Sequence, residues 1–179
     1  RYESKLCTSD EAIKKIAGVK RIIFEHACGE SALLTEALMK NKELFKKTEI
    51  IHLVAMGKGE YAKEENSEYF RHNALFAGGT TREAANSSYG DYTPSFFFEM
   101  PKLFKKGGVL NPDVTIIQVS YPDEHGYCSY GISCDYTKCA AENSNIVIAQ
   151  VNKFMPRTLG NCFIHIDSID YIVEQATPI

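Results

Sequence analysis

The chain has 179 residues, of which 44% are hydrophobic and 24% are charged, and its formal net charge is −3. This length suits one domain with its own core, and the lack of a long Lys or Arg block argues against nucleic acid as a partner. No apolar run approaches the length of a membrane span, so we expect no membrane partner and a cytoplasmic protein.

Six cysteines are spread from Cys7 to Cys162 among well-formed α/β patterns. Small secreted frameworks that depend on disulfides are denser in Cys and poorer in core residues. We therefore expect reduced thiols.

Short apolar segments alternate with helical patterns in the first half. SDEAIKKIA predicts a helix that Ser9 caps and Gly18 ends. RIIFEH (residues 21–26) predicts a buried strand, and HACGES leads it into a second helix, SALLTEALMKNKELFK. IIHLVA (50–55) predicts the next strand, which ends in MGKGEY. A polar, helical stretch follows, and ALFAGGTTRE then joins a strand-like run to the start of a helix.

The second half repeats this alternation. TPSFFFE predicts an aromatic strand, and residues 99–106 predict a short helix closed by two glycines. VTIIQV (114–119) and IVIAQV (146–151) predict buried strands, and FIHIDSIDYIVE predicts a strand followed by a capped helical turn. The whole pattern predicts one α/β domain with a mostly parallel sheet flanked by helices.

Ligands of such sheets bind where the carboxyl ends of the strands meet loops. Four junctions between a strand and a loop in this sequence are therefore candidate ligand sites. In the first, HACGES, His26 could line a ligand cleft. Cys28 is either a thiolate at a helix N-terminus or a small residue in a tight turn. In the second, MGKGEY lacks the third glycine of a dinucleotide fingerprint and the ending of a P-loop, so it is interpreted as a flexible loop.

The third junction, AGGTTRE, is the better candidate for anion binding. Its glycines let the backbone approach a ligand, Thr80 or Thr81 could cap the following helix, and Arg82 is nearby. The alternative is that the threonine only caps and that Arg82 is solvated.

The fourth junction is SYPDEHGYCSYGISCDY (residues 120–136). Its cysteines and His125, together with Cys139, have the spacing H-x2-C-x5-C-x4-C, which is unlike the close pairs of structural zinc sites. Pro122 and Gly126 instead favour a turn, which Asp123 could close as an Asx-turn.

The sequence resembles the single-chain acetyl-CoA hydrolase/transferase family over nearly its whole length, and most strongly members that act on 4-hydroxybutyrate. The likeness rests on LCTSDEA, the loop around His26, MGKGEY, GTTRE with FFFEMP, the 120–136 stretch, and VNKFMPRTLGN leading to IHIDSIDYIVE. Tyr121 and Cys134 stand where the family often has proline and serine. The resemblance implies a NagB/RpiA/CoA-transferase-like fold.

The resemblance also implies a reaction. Family members have two α/β domains and move CoA between an acyl-CoA and a carboxylate, such as 4-hydroxybutyrate, butyrate or acetate, by a ping-pong route through a glutamyl-CoA thioester. Because the glutamate belongs to the second domain, residues 1–179 would form an inactive N-terminal half that needs its own C-terminal domain. No permanent cofactor is implied, since coenzyme A is a substrate. An exposed apolar face would remain, and pairing of copies as a homo-oligomer stays open.

The resemblance assigns substrate-facing positions and no catalytic residue within this chain. His26, Gly79, Thr80, Thr81 and Arg82 would face the acyl or carboxylate end, and the same wall would be shaped by His125, Gly126 and Ser129. Three other interpretations remain open: a thioester hydrolase of the same architecture, a Cys/His metal-binding module, and an acyltransferase that uses Cys28.

Overall fold

Nine strands make up the sheets of the structure, a computed structural model that describes residues 1–179. The strands are β1 (Arg21–Phe24), β2 (Thr48–His52), β3 (Phe70–Ala74), β4 (Gly90–Tyr92), β5 (Val114–Val119), β6 (Tyr127–Ser129), β7 (Ile146–Val151), β8 (Phe163–His165) and β9 (Tyr171–Glu174). Seven of them form one parallel sheet in the order β4-β3-β2-β1-β5-β7-β9, and β6 pairs with β8 in a small antiparallel sheet. The predicted α/β class with a mostly parallel sheet is confirmed.

Five α-helices connect the strands. They are α1 (Ser9–Lys14), α2 (Ala32–Lys40), α3 (Arg82–Ala85), α4 (Met100–Phe104) and α5 (Asp135–Asn143), and short 3-10 turns fill several of the remaining connections. None of these helices is long and apolar enough to cross a membrane.

Side chains of β1 alternate between two hydrophobic layers, as the period of a strand requires. Ile22 and Phe24 pack into the layer that holds buried residues of α1 and α2. Ile23 packs on the opposite face with Phe104 of α4 and Tyr136 of α5. Because both faces are covered, the central strands are apolar almost throughout, and each large side chain buried there contributes roughly 1.5–3 kcal/mol.

Two sequence predictions of local structure are wrong, and a third is incomplete. TPSFFFE forms no strand: Phe97–Glu99 is a 3-10 turn, and the rings of Phe96 and Phe98 are exposed. The strand predicted in ALFAGG lies upstream, because β3 ends at Ala74. The C-terminal segment has the predicted strand, β8, and the predicted capped turn, Ile166–Ser168, and it adds a further strand, β9, which pairs with β7.

The cap of α1 is Thr8 and not the predicted Ser9. The Thr8 hydroxyl accepts a hydrogen bond from the Glu11 amide at 3.2 Å, and the Glu11 carboxylate accepts one from the Thr8 amide at 2.8 Å. These two bonds form a capping box, whereas Ser9 is the first helical residue.

Thr8→Ala is therefore expected to lower the free energy of unfolding by about 1 kcal/mol, because the Glu11 amide loses its acceptor. Denaturant unfolding of the chain measures the difference. Ser9→Ala is the matched control, and an equal loss in that variant would contradict the assignment of the cap to Thr8.

Candidate functional site

An open cleft lies at the carboxyl edge of the sheet, beside the place where the strand order reverses. The chain runs from β1 outward to β2, β3 and β4, then returns to β5 on the other side of β1. Parallel α/β sheets bind ligands in the crevice at such a point. The cleft, of about 640 Å³, is lined by His26, Ala27, Cys28, Phe97, Ile132, Ser133, Cys134, Asp135 and Ile179. We call it the His26 cleft.

His26 has one ring nitrogen bonded and one free. Its Nδ1 lies 2.8 Å from Oδ2 of Asp135, the first residue of α5, and Nε2 has no hydrogen-bond partner. The ring packs edge-on against Phe97, and the Ser133 hydroxyl donates to the His26 carbonyl at 2.6 Å. The expectation that His26 lines a cleft is supported by this geometry, and the free nitrogen is available to a ligand.

The turn after His26 explains why Cys28 differs from an activated thiol. Cys28 is exposed in the 3-10 turn Ala27–Gly29, three residues before α2 begins. The Ser31 hydroxyl caps α2 by accepting a hydrogen bond from the Leu34 amide at 3.1 Å. Of the two interpretations of Cys28, the structure supports the small residue in a tight turn and not the helix N-terminus. All six cysteines are free thiols, as expected.

Directly before His26, Glu25 is a fully enclosed carboxyl. Its Oε2 accepts a hydrogen bond from the Gln118 amide, while Oε1 is buried without a partner. Burial, reinforced by the charge of Asp135, raises the pKa of Glu25 well above its ordinary value despite the amide donor. This burial favours the neutral form of Glu25.

Buried amide side chains attach the C-terminal tail to this edge. Asn152 donates to Oε1 of Gln118 and to the carbonyl of Thr177, both at 2.7 Å. Gln150 donates to the Gln175 carbonyl at 3.0 Å and accepts a hydrogen bond from Ser31. These bonds carry the tail past the ends of the central strands, and Ile179 reaches the His26 cleft.

The turn at residues 79–82 packs on the MGKGEY loop. The Thr80 hydroxyl donates to the Ala55 carbonyl at 3.1 Å, and Gly59 sits against Thr80 closely enough that a Cβ would lie 3.1 Å from the Thr80 carbonyl oxygen. Gly79 faces open space, and Arg82 bonds only the Ala77 carbonyl, at 3.3 Å.

Thr81 occupies the cap position of α3 but makes no side-chain capping bond, and its hydroxyl is buried without a partner. The predicted threonine cap is therefore wrong. With four residues, α3 is also too short for a strong dipole. The amides of Thr81 and Arg82 donate to the Gly78 carbonyl, so only those of Gly79 and Thr80 are left for an anion.

The turn in residues 120–136 has the predicted geometry. Oδ1 of Asp123 accepts hydrogen bonds from the amides of His125, at 3.0 Å, and Tyr127, at 2.8 Å, which forms the Asx-turn. Gly126 has φ of +86° and packs on His165. His125 is exposed, and Ser129 is buried, with its hydroxyl accepting from the amides of Gly131 and Thr158. These residues lie outside the lining of the His26 cleft, whose wall is formed further along, by residues 132–135.

The residues considered for zinc do not converge. No group of three or more His, Cys, Asp or Glu side chains is placed to hold a metal ion. Cys128 points into the core, where burial raises its thiol pKa to about 12, and Cys139 bonds the Pro101 carbonyl from α5. Neither thiol approaches the exposed His125.

Three acidic residues of this region were not predicted from sequence. Asp135 is 109 residues away from its partner His26 in the sequence, and Glu25 lies within a segment that was predicted to be a strand. Glu30 accepts hydrogen bonds from the amides of Met56, at 3.0 Å, and Gly57, at 2.9 Å, and burial raises its pKa.

The sheet, its switch point and the cleft define a parallel α/β domain with a candidate ligand site at the carboxyl edge of the sheet. The sequence profile of the acetyl-CoA hydrolase/transferase N-terminal domain matches residues 1–179, and the chain belongs to this family.

Among its relatives, the chain is 57% identical over 178 residues to the 4-hydroxybutyrate coenzyme A transferase of Clostridium kluyveri, covering 99% of this chain and 41% of that protein. It is 32% identical to the succinyl-CoA:cyclohexane-1-carboxylate CoA transferase of Geobacter metallireducens, covering 99% of this chain and 40% of that protein. The chain thus spans about two fifths of the length of these relatives.

Two solved structures have the same architecture as this chain. The crystal structure of RipA from Yersinia pestis superposes with a TM-score of 0.90 at 26% identity, covering 99% of this chain and 44% of that one. The 4-hydroxybutyrate CoA-transferase of Porphyromonas gingivalis superposes with a TM-score of 0.73 at 33% identity, covering 99% of this chain and 41% of that one. The expected family and fold are confirmed.

Proposed function

We propose that this chain is the N-terminal domain of an enzyme that moves CoA between a short-chain acyl-CoA and a carboxylate such as 4-hydroxybutyrate, butyrate or acetate. The observation that carries the proposal is the 57% identity to a 4-hydroxybutyrate coenzyme A transferase across 99% of the chain. The His26 cleft at the switch point supplies a place where the reacting groups could bind.

The chemistry of the cleft favours the acyl and carboxylate end of the substrates over the phosphates of CoA. Its lining contains no Lys or Arg, and it combines apolar side chains such as Phe97 and Ile132 with His26. CoA carries phosphate groups that cationic side chains bind well. We therefore place the CoA phosphates on the second domain, and the short acyl chain against this one.

The attacking carboxylate is also best placed outside this chain. A nucleophilic glutamate must be ionised and accessible. Glu25 is enclosed, and its raised pKa disfavours ionisation; Glu30 is held by two backbone amides, and Asp135 is bonded to His26. This supports a glutamyl-CoA intermediate formed on a C-terminal domain, with residues 1–179 inactive alone.

In this proposal His26 donates to or accepts from the reacting oxygen atoms through Nε2. The turn from Gly79 to Arg82 binds the outer part of the carboxylate substrate through the backbone amides of Gly79 and Thr80, since those of Thr81 and Arg82 donate to the Gly78 carbonyl. The turn that contains His125, Gly126 and Ser129 supports the wall formed by residues 132–135.

The test is an assay of the full-length protein with acetyl-CoA, with and without butyrate or 4-hydroxybutyrate. We expect a new acyl-CoA that forms only with the acceptor, and a covalent CoA adduct, located by mass spectrometry, on a glutamate beyond residue 179. CoA release at the same rate without acceptor would instead identify a hydrolase, and activity of residues 1–179 alone would contradict the division between two domains.

A further inference from the structure

The ion pair between His26 and Asp135 joins two separate parts of the cleft. Nδ1 of His26, after β1, lies 2.8 Å from Oδ2 of Asp135, at the start of α5, and each side chain is 19% exposed. The pair is thus partly shielded from water, which strengthens it relative to a surface pair.

The carboxylate of Asp135 is oriented by its own helix. Its Oδ1 accepts hydrogen bonds from the amide and the hydroxyl of Thr137, both at 3.3 Å, which leaves Oδ2 for His26. Asp135 is the first residue of a nine-residue helix, where the helix dipole stabilises a negative charge. The acceptor that faces His26 is therefore fixed in direction.

The imidazole ring is fixed from its other sides. Phe97 contacts it edge-on, with ring centroids 5.6 Å apart, and Tyr136 lies 5.9 Å away. The Ser133 hydroxyl holds the His26 backbone through its carbonyl. These contacts keep Nδ1 toward Asp135 and direct Nε2 elsewhere.

We infer that Asp135 is a positioning residue for the proposed CoA transfer: it holds the Nδ1 proton of His26 so that Nε2 faces the carboxylate substrate in the cleft. An anionic acceptor on Nδ1 requires a proton there, so the neutral ring is the Nδ1–H tautomer. When Nε2 is also protonated, Asp135 stabilises the positive charge, and Nε2–H donates a charge-assisted hydrogen bond to an oxygen of the acid substrate. The part of this inference that concerns the carboxylate substrate rests on the proposed function. The part that concerns the tautomer of His26 does not.

The variant Asp135→Asn reverses the direction of the hydrogen bond to Nδ1 of His26, while the side chain at position 135 keeps its size. The two donors of Thr137 keep the amide oxygen on their side, so the amide NH2 turns toward Nδ1. Nδ1 must then accept, the proton moves to Nε2, and the ring loses its stabilising charge. The KM for the carboxylate substrate is expected to rise about tenfold, because the donor to the ionised substrate is then a neutral imidazole and no longer an imidazolium, while the KM for acyl-CoA stays near its original value.

The experiment has two independent readouts on the full-length protein. Long-range proton–nitrogen correlation spectra of ¹⁵N-histidine-labelled protein, with the His26 signals assigned by a His26→Gln variant, should show the Nδ1–H tautomer in the wild type and Nε2–H in Asp135→Asn. Initial rates with butyrate and acetyl-CoA varied separately give the two KM values. Asp91→Asn is the matched control, since Asp91 pairs with Arg71 on β4 and β3, away from the cleft.

An Nε2–H tautomer in the wild type overturns the inference, and this spectrum needs no variant of Asp135 that folds. A carboxylate KM unchanged in Asp135→Asn, or raised equally in Asp91→Asn, also overturns it. If the wild type transfers no CoA to any acid, the proposed function fails, and the spectra still decide whether Asp135 sets the tautomer of His26.

Discussion

Replacing His26 with Ala in the full-length protein is expected to lower the turnover of CoA transfer about 100-fold, the scale of a lost proton donor or acceptor at a reacting centre. The variant removes the one ring nitrogen that is free in the cleft and leaves the Asp135 carboxylate without its partner. An anionic substrate would then meet an uncompensated negative charge. The rate of acceptor-dependent acyl-CoA formation measures the effect.

His165 provides a matched control for this prediction. It also lies beside an aspartate, with Nδ1 3.5 Å from Asp167, but it belongs to β8 and lies outside the His26 cleft. His165→Ala should therefore keep the wild-type turnover. Unchanged turnover in His26→Ala would remove His26 from the site.

Replacing Glu25 with Gln is expected to raise the free energy of unfolding at pH 8 by about 1 kcal/mol or more, because ionisation of a buried carboxyl is costly. The folded chain raises the pKa of Glu25, so it holds this proton more tightly than the unfolded chain does. The stabilisation is complete below the unfolded pKa. It is lost as pH rises toward the folded pKa, at about 1.4 kcal/mol per pH unit.

Denaturant unfolding of the wild type and the variant between pH 5 and pH 8 measures the difference. Subtracting the two curves removes the contributions of His52 and His72, whose pKa values burial lowers to about 3 and about 4. Glu36→Gln, on the exposed side of α2, is the control and should show no such pH trend. A difference that does not grow with pH would show that Glu25 is not a neutral buried acid.

The central strands were predictable because burial on both faces leaves a strong signal in the sequence. Residues 114–119 and 146–151 are apolar enough that the predicted bounds match β5 and β7. The aromatic run at residues 96–98 is just as apolar, but it follows the edge strand β4 and has no neighbouring strand to pair with. Composition measures how apolar a segment is, whereas strand formation also needs a partner.

Individual residues of the site could be predicted from the sequence, but the contacts between them could not. The end of β1 and its turn selected His26, since a strand end is visible locally. Its pairing with Asp135 depends on β1 and β5 being neighbours, which follows from the order of the whole sheet. The orphaned Oε1 of Glu25 depends on how tightly the surrounding backbone closes, which no local pattern records.

The close contact between Gly29 and Glu25 restricts which residues can occupy these two positions at the same time. A Cβ at position 29 would lie 2.5 Å from Cγ and Oε1 of Glu25, well inside the contact distance of real atoms. A methyl group there and a long side chain at position 25 therefore exclude each other. Among relatives, a residue larger than glycine at position 29 should be accompanied by a short residue at position 25, so that the two sites vary as a compensating pair.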